Sequence, residues 1–180
     1  VFKWITYPIR MSLHTANKWW RRLQLLSSSW LSLGHGMNDG QNAIGIIALA
    51  FFVGGFSEKI EIQTWMIVAG GLAIGLGTTI AGFRVIQTTG WKIMKIEPID
   101  GCAAQTASAL ILTIKSFVGM PVSTTHVAIS SILGTGGAKN IRHVNWSITR
   151  HIVMAWIITI PVAGLVGALS YWAISFFGVQ

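Results

Sequence analysis

Long uncharged stretches divide the chain. No Asp, Glu, Lys or Arg occurs within residues 62–83, 116–138 or 152–180, and residues 23–57 contain only Asp39. A helix needs about 20 mostly apolar residues to cross the hydrocarbon core of a membrane. The pattern therefore predicts an all-α, polytopic membrane protein with at least three full spans and one unusual segment.

The composition agrees with a membrane environment. Hydrophobic residues make up 52% of the chain and charged residues only 10%, whereas a soluble domain carries about 25% charged residues. The mean hydropathy is +0.61. These values exclude a disordered chain and an ordinary soluble enzyme. The single cysteine, Cys102, excludes an internal disulfide and a cysteine-based zinc cluster.

The net charge of +8 comes from short basic clusters. In so apolar a chain, basic residues mark loops on the cytoplasmic side of a membrane rather than a nucleic-acid site. The clusters are Lys18, Arg21 and Arg22; Arg84, Lys92 and Lys95; and Lys139, Arg142 and Arg150. We therefore expect no nucleic-acid partner and a multi-pass protein of the cell membrane.

The positions of these clusters predict the topology. We expect a basic, interfacial segment at residues 1–27 and a transmembrane repeat at residues 28–177. Within the repeat, the expected order is 28–56 outward, 63–84 inward, 98–138 out of the cytoplasm and back into it, and 150–177 outward. The chain starts at Val1 rather than at a methionine, so we expect it to be the back part of a longer protein.

A polar cluster interrupts the apolar run at residues 32–50. Asn38, Asp39 and Asn42 lie there among glycines at positions 34, 36 and 40. A carboxylate within a span is costly and usually functional. We expect the glycines to break the helix and free backbone groups for an ion. The alternative is a polar contact between helices, with the glycines serving close packing.

The segment 98–138 is predicted to be a re-entrant hairpin. Its first arm contains only residues 101–114 before Lys115, which is short for a span. A Gly119-Met120-Pro121 break follows, and such a break is tolerated at membrane depth only against protein or a cavity. We expect the tip at residues 119–126. The alternative is two ordinary helices joined by an external turn.

The hairpin tip carries a second polar cluster, Ser123, Thr124, Thr125 and His126. We expect a helix to begin here, since serine is a preferred N-cap. The unpaired amides of a helix start and the neighbouring hydroxyls can bind an anion. The alternative is that the hydroxyls bond to their own helix. His126 is either a proton relay or a cap of the hairpin.

Lys115 lies near the hairpin tip. We expect its ammonium to extend to the membrane surface rather than attract an anion.

The two clusters together predict an anion site with a carboxylate beside it. Asp39 and an anion about 4 Å away repel by roughly 4 kcal/mol at an effective dielectric constant of 20. Protonation of Asp39 or a bound cation relieves this repulsion. Anion binding would then depend on a co-bound H+, Na+ or divalent metal, which is the basis of symport.

Both motifs resemble those of the PiT-type inorganic phosphate transporter family. The matching stretches are residues 36–43 and 119–126, and residues 154–161 are similar to the family's final span. The resemblance implies two inverted repeats, of which this chain holds the C-terminal one, and the missing N-terminal repeat as a partner. It also implies phosphate ligands at these positions: Asn38, Asp39, Asn42, Ser123, Thr124 and Thr125.

The expected function is therefore cation-coupled phosphate symport by alternating access, not enzyme catalysis. We expect no bound cofactor. The resemblance to bacterial permeases favours protons over sodium, and the cargo is either free phosphate or a metal–phosphate complex. The alternatives are an anion channel, a non-transporting membrane subunit, and an intramembrane hydrolase that uses Ser123 and His126.

Overall fold

The computed structural model describes residues 13–87, 92–120 and 122–176. Within these ranges the chain is helical and has no strand, as the sequence predicts. Residues 1–12 of the expected basic segment, Pro121 of the expected tip and residue 177 lie outside them. The helices are α1 (Leu13–Val53), α2 (Thr64–Gln87), α3 (Pro98–Val118), α4 (Thr124–Asn140), a 3-10 turn (Ile141–His143) and α5 (Trp146–Phe176).

Helix α1 is continuous, so the predicted break near Asp39 is wrong. The helix has 41 residues and is about 60 Å long. The backbone is helical throughout this segment, and the polar side chain of Asn38 hydrogen-bonds other parts of the chain. The glycines at 36 and 40 contact nothing outside the helix at their Cβ positions. The boundary expected after residue 27 lies within this helix.

Helix α1 packs mainly against α3. Small residues allow the close approach: a Cβ on Gly34 would lie 3.4 Å from the Leu112 side chain. Hydrogen bonds join the same faces, from the Ser27 hydroxyl to Gln105 Oε1 at 2.8 Å and from Trp30 to Thr113 at 3.2 Å. This interface places the middle of α1 beside the end of α3, where the hairpin turns.

Helices α3 and α4 form the predicted hairpin. Helix α3 ends at Val118, and its C-cap is Gly119, whose φ of 74° is a left-handed conformation that suits glycine. At the open end of the hairpin, the Lys139 ammonium binds Glu97 at 2.5 Å and Asp100 at 3.2 Å. The hydrogen bond to Glu97 raises the pKa of Lys139, although desolvation acts in the opposite direction. This ion pair stabilises the fold up to high pH and is lost as the pH rises through the raised pKa.

Two of the described helices, α3 and α5, are long and apolar enough to cross a membrane. This differs from the expected three or more spans. Helix α2 contains the apolar stretch Thr64–Ile80 and continues as a helix to Gln87, and most of the uncharged run at residues 62–83 lies within it. Helix α3 is long and apolar enough to span a membrane, although Lys115 near its end led to the expectation of a short arm. Helix α4 has 17 residues, a length that suits an arm of a hairpin that does not cross the membrane. The re-entrant placement stays a prediction.

Helix α5 forms a compact unit of its own. It contains Pro161 in its interior and remains helical on both sides of it. Its large apolar side chains are exposed along most of its length, for example at Ile157, Leu165 and Trp172. Such a surface suits a hydrocarbon environment.

We expect Gly136→Ala to destabilise the unit that contains the hairpin. A Cβ at Gly136 would lie 2.6 Å from Met94 Sδ and 2.9 Å from Val144 Cγ2, and overpacking of this kind costs about 1–3 kcal/mol. Gly137→Ala is the matched control, because nothing lies within 4 Å of that Cβ position. Thermal unfolding of the two variants in detergent measures the difference, and equal midpoints would contradict the predicted close packing.

Candidate functional site

The side chain of Asn38 joins the two polar clusters. It is buried, with 3% of its surface exposed. Its Nδ2 group donates to the Val122 carbonyl at 3.1 Å and to Asp39 Oδ1 at 2.9 Å, while its Oδ1 accepts from the Lys115 ammonium. One amide therefore bonds α1, α3 and the hairpin tip. Both hydrogens of the amide are used within the chain.

Lys115 is buried, so the expectation that it reaches the membrane surface is wrong. Only 7% of its surface is exposed, because Asn38 provides an acceptor inside the protein. Within the described residues, no carboxylate oxygen lies within 4 Å of the ammonium. A buried cation without a carboxylate partner favours an anion nearby. The sequence signal is that Lys115 is the one charged residue between positions 101 and 138.

Asp39 lies at the edge of this buried group. Its second oxygen is 3.3 Å from His35 Nε2, one helical turn earlier, and both side chains are 36% exposed. The pair is an ion pair when His35 is protonated. The polar groups thus continue from His35 through Asp39 and Asn38 to Lys115. The carboxylate keeps one side open to an ion or a ligand.

The start of α4 is as predicted, with Ser123 as its N-cap. The Ser123 hydroxyl accepts from the backbone amide of His126 at 3.3 Å. Its oxygen therefore caps the helix. The next residue, Thr124, is 8% exposed, and no described residue hydrogen-bonds its hydroxyl.

A cavity borders this helix start. It has a volume of about 910 Å³ and lies between α1 and α2, with Leu112 and Thr124 closing one side. His35 and Gly36 of α1 also line it. Its wall is otherwise mostly apolar, and its size is within the range of small-ligand pockets, about 300–1,000 Å³. Thr124 and His35 are thus among the polar residues that line this cavity.

The remaining predicted ligands are not drawn into this group. Asn42, Ser123 and Thr125 are exposed, and neither Asn42 nor Thr125 hydrogen-bonds another described residue through its side chain. No group of three or more His, Cys, Asp or Glu residues suited to a metal ion occurs in the described ranges. The candidate site in this chain therefore consists of Asn38, Asp39, Lys115 and Thr124, with three further polar groups at its exposed border.

Comparisons with known proteins match most of the chain. Residues 7–167 match the model of the Phosphate transporter family. A probable low-affinity inorganic phosphate transporter of Bacillus subtilis is 39% identical over 91% of this chain and 50% of the relative. A putative phosphate permease of Pyrococcus abyssi is 36% identical over 84% of this chain and 38% of the relative.

A solved structure described as the sodium-dependent phosphate transporter is also similar. It aligns with a TM-score of 0.81 and 29% identity, over 93% of this chain and 43% of that chain. The chain thus spans about half the length of the curated relatives it matches. These relatives are transporters, which confirms the expectation that the chain is not an enzyme.

Proposed function

Because the chain belongs to the phosphate transporter family, we propose that it forms the C-terminal half of a membrane transporter for inorganic phosphate. The contact between Asn38 and the Val122 carbonyl carries this proposal. It joins two polar clusters that are 84 positions apart in sequence. An anion site built from both clusters requires that they lie side by side. Coverage of only about half of the relatives supports a missing N-terminal repeat, related to this one by inversion.

The proposed phosphate site uses both clusters. Thr124 provides an uncommitted hydroxyl, and the first amides of α4 add donors at the positive end of the helix dipole. Lys115 adds a buried positive charge. Asn38 holds the two elements together, and Asp39 provides the carboxylate. Asn42, Ser123 and Thr125 complete the ligand set where the exposed border would face the N-terminal repeat.

Asp39 makes phosphate binding depend on a cation in this proposal. Its carboxylate repels phosphate unless a proton or a metal cation neutralises it. The name of the similar solved structure supports cation coupling and makes sodium the first ion to test. Protons remain the choice favoured by the resemblance to bacterial permeases, with His126 at the start of α4 as a relay. A divalent metal carried with phosphate would meet the same need.

Uptake of radiolabelled phosphate into proteoliposomes tests the coupling. The complete transporter would be given a sodium gradient, a proton gradient or added divalent metal, each in turn. Accumulation of phosphate above its external concentration with one of these supports symport by alternating access and identifies the ion. If phosphate only equilibrates across the membrane and no ion gradient makes it accumulate, the result would contradict symport and favour an anion channel.

We expect Thr124→Val to weaken phosphate binding by about 1–3 kcal/mol, because the substitution is nearly isosteric and removes one hydroxyl from the site. Equilibrium binding of phosphate to the complete transporter measures this loss. Thr135→Val is the control, since that hydroxyl on the same helix bonds the Ile132 carbonyl. Equal affinities of the two variants would exclude Thr124 from the ligand set.

A further inference from the structure

A basic cavity lies near the start of α1, away from the proposed transport site. It has a volume of about 520 Å³. Lys18, Arg21 and Arg22 line it together with Ser28 of α1 and Gln105 of α3. The three cations are spaced three and four positions apart, so their side chains share one face of the helix. Two different helices therefore contribute to one positively charged recess.

The three cations have no anionic partner among the residues that the structure describes. Within the described ranges, none of them lies within 4 Å of a carboxylate oxygen. The Arg22 guanidinium is held over the Trp19 ring, 5.8 Å from its centroid, which restricts its position. The Ser28 hydroxyl donates to the Leu25 carbonyl of its own helix, whereas the amide nitrogen of Gln105 is a neutral group that can donate to an oxyanion. This combination is complementary to a phosphate group.

The surroundings of the cavity favour a lipid as the source of that phosphate. Leu25 lines the cavity and is 69% exposed, and the Trp19 ring beside Arg22 is also exposed. Free phosphate gains nothing from such apolar surface, whereas the acyl chains of a phospholipid do. Gln105 lies seven residues into α3, a candidate span, which is about 10 Å along that helix. Basic and aromatic residues at the end of a span are typical of the headgroup region.

We propose that this basic cavity binds the headgroup of an anionic phospholipid. Such a site would fix the basic end of α1 against the negatively charged face of the membrane. It is independent of phosphate transport, because none of its residues belongs to the site around Asn38.

Native mass spectrometry of the complete transporter tests this proposal. Phosphatidylglycerol, phosphatidylcholine and inorganic phosphate would be titrated separately. The variant Lys18→Gln/Arg21→Gln/Arg22→Gln is compared with Lys92→Gln/Lys95→Gln/Arg142→Gln, which removes the same charge from exposed positions elsewhere. We expect phosphatidylglycerol to bind more tightly than phosphatidylcholine. We also expect a loss of about fivefold per cation, or roughly a hundredfold in total, in the first triple variant only.

Other outcomes would overturn the proposal. Equal binding of the two lipids would exclude a charged headgroup site, and equal losses in both triple variants would mean that only the overall charge matters. Displacement of phosphatidylglycerol by an equal concentration of inorganic phosphate would indicate a site for the free anion. Phosphate uptake by the first triple variant distinguishes the lipid site from the proposed transport site. We expect this variant to lose lipid binding but to take up phosphate in liposomes of neutral lipid.

Discussion

Replacing Asp39 with asparagine is expected to abolish cation-driven accumulation of phosphate. The substitution keeps the shape of the side chain and an oxygen that can accept from Asn38, but it removes the negative charge. A carboxylate about 4 Å from phosphate costs roughly 4 kcal/mol at an effective dielectric constant of 20. Without this repulsion, phosphate no longer needs a cation in order to bind. A cation gradient is then no longer coupled to phosphate transport.

The measurement is the initial rate of phosphate uptake into proteoliposomes with and without the coupling gradient. We expect the Asp39→Asn transporter to lose at least two orders of magnitude of gradient-driven uptake. It should still bind phosphate when the cation is absent. Glu61→Gln, which neutralises an exposed acidic residue, is the control and should transport normally. Gradient-driven uptake by Asp39→Asn at the normal rate would exclude Asp39 as the coupling residue.

Replacing Asn38 with leucine is expected to destabilise the protein by about 3 kcal/mol. The change removes the hydrogen-bond acceptor of a buried ammonium, Lys115, and removing one partner of a buried charged group is strongly destabilising. Replacing both partners with apolar residues is much less costly. The double variant Asn38→Leu/Lys115→Met should therefore recover a large part of the loss, and the difference between its effect and the sum of the two single effects is the coupling energy of the pair.

Chemical denaturation in detergent micelles measures the free energy of unfolding for this cycle. Ser116→Ala is the control, because that buried hydroxyl bonds the Leu112 carbonyl of its own helix, and its loss should cost about 1 kcal/mol. If the effects of Asn38→Leu and Lys115→Met on the free energy of unfolding simply add, the two side chains do not interact. Asn38 and Lys115 would then contribute to stability independently.

Local features of the hairpin could be predicted from the sequence. The N-cap at Ser123 depends on residues within one helical turn, and the turn at Gly119 depends on the conformational freedom of glycine. Such short-range signals are present in the sequence itself. The same is true of the two polar clusters, because polar residues are conspicuous in an apolar chain.

The errors came from contacts between distant residues. The glycines around Asp39 favoured a broken helix, but the helix is continuous, and Asn38 bonds Lys115 and Val122 of the hairpin. The burial of Lys115 depends on the same contact, which the sequence of α3 alone does not contain. Asn42 and Thr125 match the family motifs, yet a partner for their exposed side chains would have to come from the other half of the site.

The most direct test of the proposed half-site is radiolabelled phosphate uptake into proteoliposomes that contain either this chain alone or this chain together with the upstream repeat. Folding of each preparation would be verified by circular dichroism. The half-site predicts uptake only when both repeats are present, and loss of that uptake in Asp39→Asn. Failure of the folded, complete protein to take up phosphate under any ion gradient would contradict the proposed function.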